Sequence, residues 1–337
     1  MTGGEGRVDD RPQFREDLTA MPPEYPRLVS IETTSFCNAK CVFCPNATLK
    51  RGKMHMSDDL FEHIVDQLRG FPVPAIEPFL QGEPFSDPKI LPRLERLRSR
   101  LPKTRLRLYS NAYALTPART DELCRVGLDH LYISVNTLDP VKYEANMGLK
   151  LERTLENLRY LADPGRRARV ARMITFRMLR LPTTTLREQD EFLDFCKRHG
   201  VRSFIVAEFN YAGDIASGLP VPAYPCEHID RLDILSNGVV TLCCMDQDGD
   251  YAWGDATKTP LLDIYHGHVA RRYRDMHRSG RRRDIAPCDR CNLFWPSFTG
   301  MALWRRALTA AQVGLYFARF RPAGRRAPSR TPGSPAI

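Results

Sequence analysis

From residue 27 to about residue 210, short apolar runs alternate with stretches of helical period. Arg27–Thr34 (RLVSIETT) reads as a strand. Ser57–Arg69 reads as a helix with Ser57 as its N-cap and Asp58 and Asp59 in its first turn. Strands are expected next at Ala75–Gln81, Thr104–Asn111 and His130–Asn136, with helices at Lys89–Arg100 and Pro117–Val126 between them. Helical pieces over Asp139–Met147 and Leu151–Ala162 lead to a strand at Arg169–Leu179, a helix at Thr184–His199 and a strand at Val201–Phe209. Strands joined through helices form right-handed βαβ units and a parallel sheet. Six such units predict an α/β fold, a partial (βα)6 TIM-like barrel.

The pattern changes after Asn210. Residues 211–300 are rich in Gly, Pro and Cys, and Asn237-Gly238 between apolar runs predicts a hairpin with a type I′ turn. Residues 301–320 have the spacing of an amphipathic helix, and 321–337 have the composition of a disordered tail. The expected organisation is an N-terminal extension (1–26), the barrel (27–210), a small Cys-rich domain (211–300), and a helix with a basic tail (301–337).

Composition narrows the class. With 42% hydrophobic and 27% charged residues the chain is globular. It has no run of about 18 apolar residues, which predicts no membrane span. Its first residues lack the apolar core of a secretory signal, which points to the cytoplasm. The net charge of +10 is concentrated in Arg271–Arg283 and Arg305–Ile337, each holding seven arginines. Such clustering admits a nucleic-acid partner; a solvated basic face and a loose tail are the preferred reading.

Ten cysteines in a reducing compartment point to metal rather than disulfides. Cys37, Cys41 and Cys44 form C-x3-C-x2-C just after the first predicted strand. Three thiolates on a short loop can ligate three irons of a cubane and leave the fourth open. A structural zinc site would need a fourth ligand, for which His55 is nearest. The spacing, with Phe43 before the last cysteine, resembles the signature of the radical S-adenosylmethionine (radical SAM) superfamily. Gly82-Glu83-Pro84 resembles that family's SAM-amino-group element. Ser110, Asn111, Ser134 and Asn136, at strand ends, resemble its positions for the SAM carboxylate and ribose. The resemblance covers about residues 27–210. It implies a SAM-binding [4Fe–4S] cluster, formation of a 5′-deoxyadenosyl radical, and an electron donor such as flavodoxin or ferredoxin. For Ser110, Asn111, Ser134 and Asn136, ordinary turn chemistry is the competing account.

Cys226, Cys243, Cys288 and Cys291 could close a four-thiolate site for zinc or a fully ligated [4Fe–4S] cluster. This segment resembles the SPASM family of auxiliary-cluster domains, through Gly238–Cys244, Asp246, Gly254-Asp255, Leu261–Tyr265 and Pro287-Cys288 to Cys291. No cysteine follows Cys291, so the resemblance is to the shortened, one-cluster form called twitch and implies one auxiliary cluster. Cys244 is surplus: a core thiol, an alternative ligand, or a hydrogen-atom donor to a substrate radical. Cys124 and Cys196 read as core thiols, and His266, His268 and His277 as part of a solvated basic face.

These readings converge on an oxidoreductase acting on a small natural product of carbohydrate or aminocyclitol type, by dehydrogenation. Epimerisation with a cysteine hydrogen donor, maturation of a peptide substrate, and a non-enzymatic iron–sulfur or nucleic-acid-binding protein are the alternatives. The 26 residues before the first strand are too few for an added peptide-recognition domain, which favours the small molecule.

Overall fold

A computed structural model of the chain describes residues 24–297 and 303–318. The tail expected over 321–337 and nearly all of the N-terminal extension lie outside them. Six parallel strands run β1 (Val29–Ile31), β2 (Ala75–Glu77), β3 (Arg105–Ser110), β4 (Leu128–Ser134), β5 (Ala171–Arg180) and β6 (Arg202–Ala207). Between them lie α1 (Asp58–Leu68), α2 (Ile90–Arg100), α3 (Pro117–Val126), α4 (Pro140–Met147), α5 (Leu151–Leu161), α6 (Pro164–Val170) and α7 (Leu186–Arg198). This is the open parallel sheet with helices expected of a partial barrel.

Local chemistry fixes the helix ends. The Ser57 hydroxyl accepts from Leu60 N, and Thr185 and Glu188 form a reciprocal capping box. Helix α6 was not expected. Asp163 accepts from Arg166 N and Pro164 opens the first turn, so 164–170 are helical and the strand begins later, at Ala171.

Strand pleating divides the sheet into two chemically distinct faces. Leu106, Leu108, Leu131, Ile133, Ile174, Phe176 and Met178 are buried in one apolar cluster with Ile64 of α1, Leu94 of α2, Leu123 of α3, Leu158 of α5 and Phe192 of α7. The alternate positions Arg107, Tyr109, His130, Tyr132, Thr175 and Arg177 line a cavity on the opposite face.

The Cys-rich segment extends the same sheet. Strand β7 (Leu232–Ile234) pairs in parallel with β1, and β8 (Val239–Thr241) and β9 (Gly254–Asp255) follow antiparallel. The strand order is β6-β5-β4-β3-β2-β1-β7-β8-β9. The turn after β7 is longer than a type I′ turn. Leu235 and Val239 pair across it, Gly238 N–H donates to Leu235 O, and of Asn237 and Gly238 only Gly238 has positive φ (90°). A type I′ turn requires positive φ at both central residues.

Helices α8 (Leu261–Tyr265), α9 (His268–Arg278) and α10 (Leu303–Ala318) complete the described chain. Basic residues 271–283 do not form a wholly solvated face. Arg274 donates to the carbonyl of Tyr265, Arg278 pairs with Asp230 at 2.9 Å, and Arg282 is buried. His277 is also buried, and its Nδ1 accepts the Cys226 N–H at 3.1 Å. On α10, Tyr316 packs edge-on against Tyr224, while Leu303, Trp304, Leu308 and Leu315 are exposed. No helix among the described residues is long and apolar enough to cross a membrane.

Arg93 of α2 holds the front of the barrel together. Buried, it donates to Asp87 (3.0 Å), Asp58 (3.0 Å), and the carbonyls of Thr33 and Met56. Removing its charge leaves the carboxylate of buried Asp87 without its guanidinium. Arg93→Met is therefore expected to lower stability by about 3–5 kcal/mol, measured by urea unfolding; a change below about 1 kcal/mol would show that the network contributes little.

Candidate active site

Cys37, Cys41 and Cys44 occupy the loop that follows β1, before the single 3-10 turn Pro45–Thr48. The loop is pinned to the end of α4 by Lys40 N to Met147 O and Val42 N to Asn146 O, both 2.9 Å. Phe43 packs partly buried in the apolar cluster of Ala39, Tyr143 and Met147. Burial pushes the Cys37 thiol up to about 12 and raises Cys41 and Cys44 as well, with Cys41 also feeling the other two sulfurs. Without bound metal these groups are thiols; iron charge would be needed to hold them as thiolates.

The loop is joined closely to the end of β2. A Cβ on Gly82 would collide with the backbone oxygens of Thr34 and Phe36, so the two segments approach as only glycine permits. Glu83 N–H donates to Phe36 O at 2.9 Å, and buried Asn46 donates to the carbonyls of both Ser35 and Gln81. The Glu83 carboxylate accepts from Ser110 Oγ (2.7 Å) and Asn111 N (2.8 Å), and Pro84 begins a short 3-10 turn behind it. Asn111 Nδ2 donates to Asn38 Oδ1 at 2.8 Å, which links this group back to the cysteine loop. Gly82, Glu83, Ser110 and Asn111 thus form one assembly. Asn136, at φ 64°, donates to Met147 Sδ and accepts Leu179 N–H, and half-buried Ser134 lies opposite Arg177 in the sheet.

The second set is gathered by backbone capture. Cys226 is fixed through His277 and through a bridge to Pro296. Arg282 donates to the carbonyls of Tyr224, Cys291 and Leu293, bracketing the Cys288–Cys291 knuckle. Asn210 and Asn292 exchange backbone-to-side-chain bonds at 2.9 and 3.1 Å, tying the residues after β6 to the knuckle. Burial raises Cys226 to about 11 and raises Cys243, which is further affected by Cys226, Cys288 and Cys291. Cys244 differs: its carbonyl accepts from Gln81 Nε2 at 2.7 Å, its sulfur lies 3.4 Å from His228 Nδ1, and it lines the cavity. Cys196 is buried and Cys124 packs partly buried against the core, as expected.

The cavity, of about 310 Å³, occupies the lumen of the sheet, and of the cysteines Cys244 lines it. Tyr211 lines it and lies close to the Cys44 thiol. Tyr211 and Ala212 both have positive φ (44° and 57°), a backbone cost of order 1–3 kcal/mol each. Tyr109 and Tyr132 stack at 4.3 Å on the lumen wall, and His130 stacks on Tyr132 at 3.7 Å. Sequence reasoning missed Tyr211, Arg282 and the Asn210–Asn292 exchange; the lumen residues carried a signal in their alternation with Leu and Ile.

Among the described residues no three His, Cys, Asp or Glu side chains are drawn together tightly enough to hold one metal ion. A cubane spreads its thiolates over separate irons, and both sets suit it: three thiols that leave an iron open, and four that close a cluster. Fold and donors define an iron–sulfur enzyme built on an open parallel sheet. The family model described as the Radical SAM superfamily matches residues 31–196, and the one described as an iron–sulfur cluster-binding domain, SPASM, matches 226–292. The chain belongs to the radical SAM superfamily, with a C-terminal SPASM-type domain, and its cofactors are SAM, a [4Fe–4S] cluster and auxiliary iron–sulfur.

Solved structures share the fold at low identity. BtrN in complex with AdoMet and 2-DOIA has a TM-score of 0.58 at 19% identity, over 79% of this chain and 92% of that one. Streptococcus suis SuiB bound to precursor peptide SuiA has a TM-score of 0.62 at 15% identity, over 80% and 70%. Native anSMEcpe with AdoMet and Cp18Cys peptide has a TM-score of 0.57 at 11% identity, over 87% and 96%. No curated protein sequence matches.

Anaerobically reconstituted protein is expected to hold about eight irons, as two four-iron cubanes require. Alanine at Cys37, Cys41 and Cys44 together should leave about half. Stoichiometric zinc in place of the second cluster would overturn the assignment of Cys226, Cys243, Cys288 and Cys291.

Burial holds the Glu83 carboxyl up to about 7, against the hydrogen bonds from Asn111 and Ser110 that favour its ionised form. The resemblance assigns Glu83 to the ammonium of SAM, a role that the carboxylate form would fill. SAM affinity of the reconstituted enzyme should therefore weaken as pH falls through about 7, where the protonated form takes over. Glu83→Gln should flatten that profile and weaken binding at pH 8 roughly tenfold or more. An unchanged pH profile in Glu83→Gln would remove Glu83 from this role.

Proposed function

We propose that this enzyme dehydrogenates a small polyhydroxylated substrate, of carbohydrate or cyclitol class, held in the lumen cavity. The observation that carries the reading is the position of that cavity, whose lining includes Tyr211, close to Cys44, and Cys244, adjacent in sequence to Cys243. Its volume of about 310 Å³ is sufficient for a sugar-sized molecule. Cys37, Cys41 and Cys44, with Gly82, Glu83 and Asn111 beside them, would hold the SAM-binding cluster. Cys226, Cys243, Cys288 and Cys291 would hold the auxiliary one. When bound, these groups supply the 5′-deoxyadenosyl radical that takes a hydrogen atom and an acceptor for the electron that follows. The chain's own residues position the substrate: Phe79, Leu80 and Phe204 give the lumen apolar surface, and the Tyr109–Tyr132 stack forms a flat wall for a ring. Loss of a hydrogen atom, a proton and an electron converts a carbinol to a ketone.

A second reading, epimerisation, is favoured by one specific observation: Cys244 lines the cavity with its sulfur 3.4 Å from His228, another lining residue, and its thiol could return a hydrogen atom to the substrate. With reductant, SAM and a panel of cyclitols and hexoses, dehydrogenation gives a ketone product, and Cys244→Ser should still form it. Under epimerisation, heavy water labels the inverted carbon and Cys244→Ser abolishes that product. Deuterium at the reacting carbon, lost in Cys244→Ser, would sink the dehydrogenase reading. Turnover confined to peptides would sink both.

A further inference from the structure

The lumen carries an excess of positive charge that the barrel itself does not use. Five arginines line it against two glutamates. Arg107 pairs with Glu77 at 2.7 Å, and Arg231 with Glu227 at 2.5 Å. Arg27 lies in the field of Glu227 and Asp230. Arg177 and Arg202, both half-buried, have no acidic partner among the described residues. Resting on the reading that this cavity holds the substrate, we infer that the substrate bears an oxyanion, a carboxylate or a phosphate, bound by Arg177 and Arg202.

The geometry of these two arginines suits that task. Arg202 of β6 lies opposite Thr175, and Phe204 lies opposite Arg177, so both arginines stand on the lumen face of adjacent strands, two positions apart. The Arg177 guanidinium lies 5.0 Å from the ring centre of Tyr109 and 6.0 Å from those of Tyr132 and Phe204. Stacking uses the faces of a guanidinium and leaves its in-plane N–H fork available, the edge that matches carboxylate and phosphate oxygens two at a time. Arg202 touches the Met173 sulfur at 3.1 Å, a weak acceptor. Partly desolvated cations with such partners are costly unless a ligand anion offsets the cost. His130, on β4 beside Thr175, does not add to the charge: burial, with Arg107, Arg202 and Arg177 nearby, holds its ring neutral. The same field repels an ammonium group. The aminated cyclitols that the sequence admitted are thus disfavoured against sugar acids or sugar phosphates.

The test is equilibrium binding to the reconstituted holoenzyme at low salt, by calorimetry. The probes share one ring in four forms: glucose 6-phosphate, glucuronate, glucose and glucosamine. At least one anion is expected to bind about tenfold or more tightly than glucose, with glucosamine weakest; which anion wins tells phosphate from carboxylate. The double variant Arg177→Gln/Arg202→Gln should bring anion and glucose to similar affinity. Arg177→Lys/Arg202→Lys should retain most of the preference, with iron content and melting temperature confirming that each variant is folded. Absence of an anion preference in the parent, including no measurable binding of either anion, overturns the inference. So does a preference that survives the glutamine pair. Oxidation of a neutral or aminated polyol would end this inference while leaving the proposed dehydrogenation intact. An arginine-dependent anion preference in an enzyme that oxidises only peptides would end the proposed function and leave the anion site standing.

Discussion

The parallel pairing of β7 with β1 is the constraint on which the rest of the molecule depends. An open six-stranded sheet has two unpaired edges, and an exposed edge of backbone donors and acceptors must be covered or managed. Here Val29, Ser30 and Ile31 pair with Ala75–Glu77's strand on one side and with Leu232–Ile234 on the other. Closing that edge brings the hairpin beside the lumen, which Cys244 lines. A buried ion pair reinforces the junction: Glu32 accepts from Arg51 at 2.6 Å and from Ser236 N at 2.9 Å. Arg51 comes from the segment just after the first cysteines and Ser236 from the hairpin, so one carboxylate ties both thiol-bearing regions to the first strand.

Around that junction the site is assembled mostly from backbone. Gly82 brings two loops into contact, and Asn46, Arg282 and the Asn210–Asn292 pair satisfy carbonyls and amides that irregular loops would otherwise bury unpaired. The side chains with reactive chemistry are then free of structural duty. The cysteines belong to this group, and so does Cys244, whose backbone is held through its carbonyl by Gln81 while its sulfur meets His228. The exception is Glu83, whose carboxylate anchors the C-terminal end of β3 through Ser110 and Asn111 and is also the candidate partner for the SAM ammonium.

Much of this was legible in the sequence. The alternation of strand and helix periods located six parallel strands, and the spacing of Cys37, Cys41 and Cys44 with Gly82-Glu83-Pro84 identified the family. What remained hidden depended on distant pairings. Nothing local in Leu232–Ile234 announces that its partner is β1, some two hundred residues earlier. The arginines of 271–283 looked like a solvated face because composition cannot show that Arg282 ends among three carbonyls or that His277 meets Cys226. Helix α6 was missed because its cap, Asp163-Pro164, lies against a strand start, and the turn at Gly238 because Asn237 does not share its backbone conformation.

The two-faced strands have a consequence for folding fidelity. A slip of one residue in any of β3, β4 or β5 would carry Arg107, His130 or Arg177 beneath the helices and push Leu108, Leu131 or Phe176 into the lumen. Each misaligned sheet would bury guanidinium without water and expose apolar side chains in a polar chamber, so the wrong alignments are penalised by the same residues that equip the chamber for a ligand. Replacing those arginines with aliphatic residues would make both faces apolar and remove much of that penalty. Selection for the chamber's chemistry is therefore also selection for a chain that finds its one alignment.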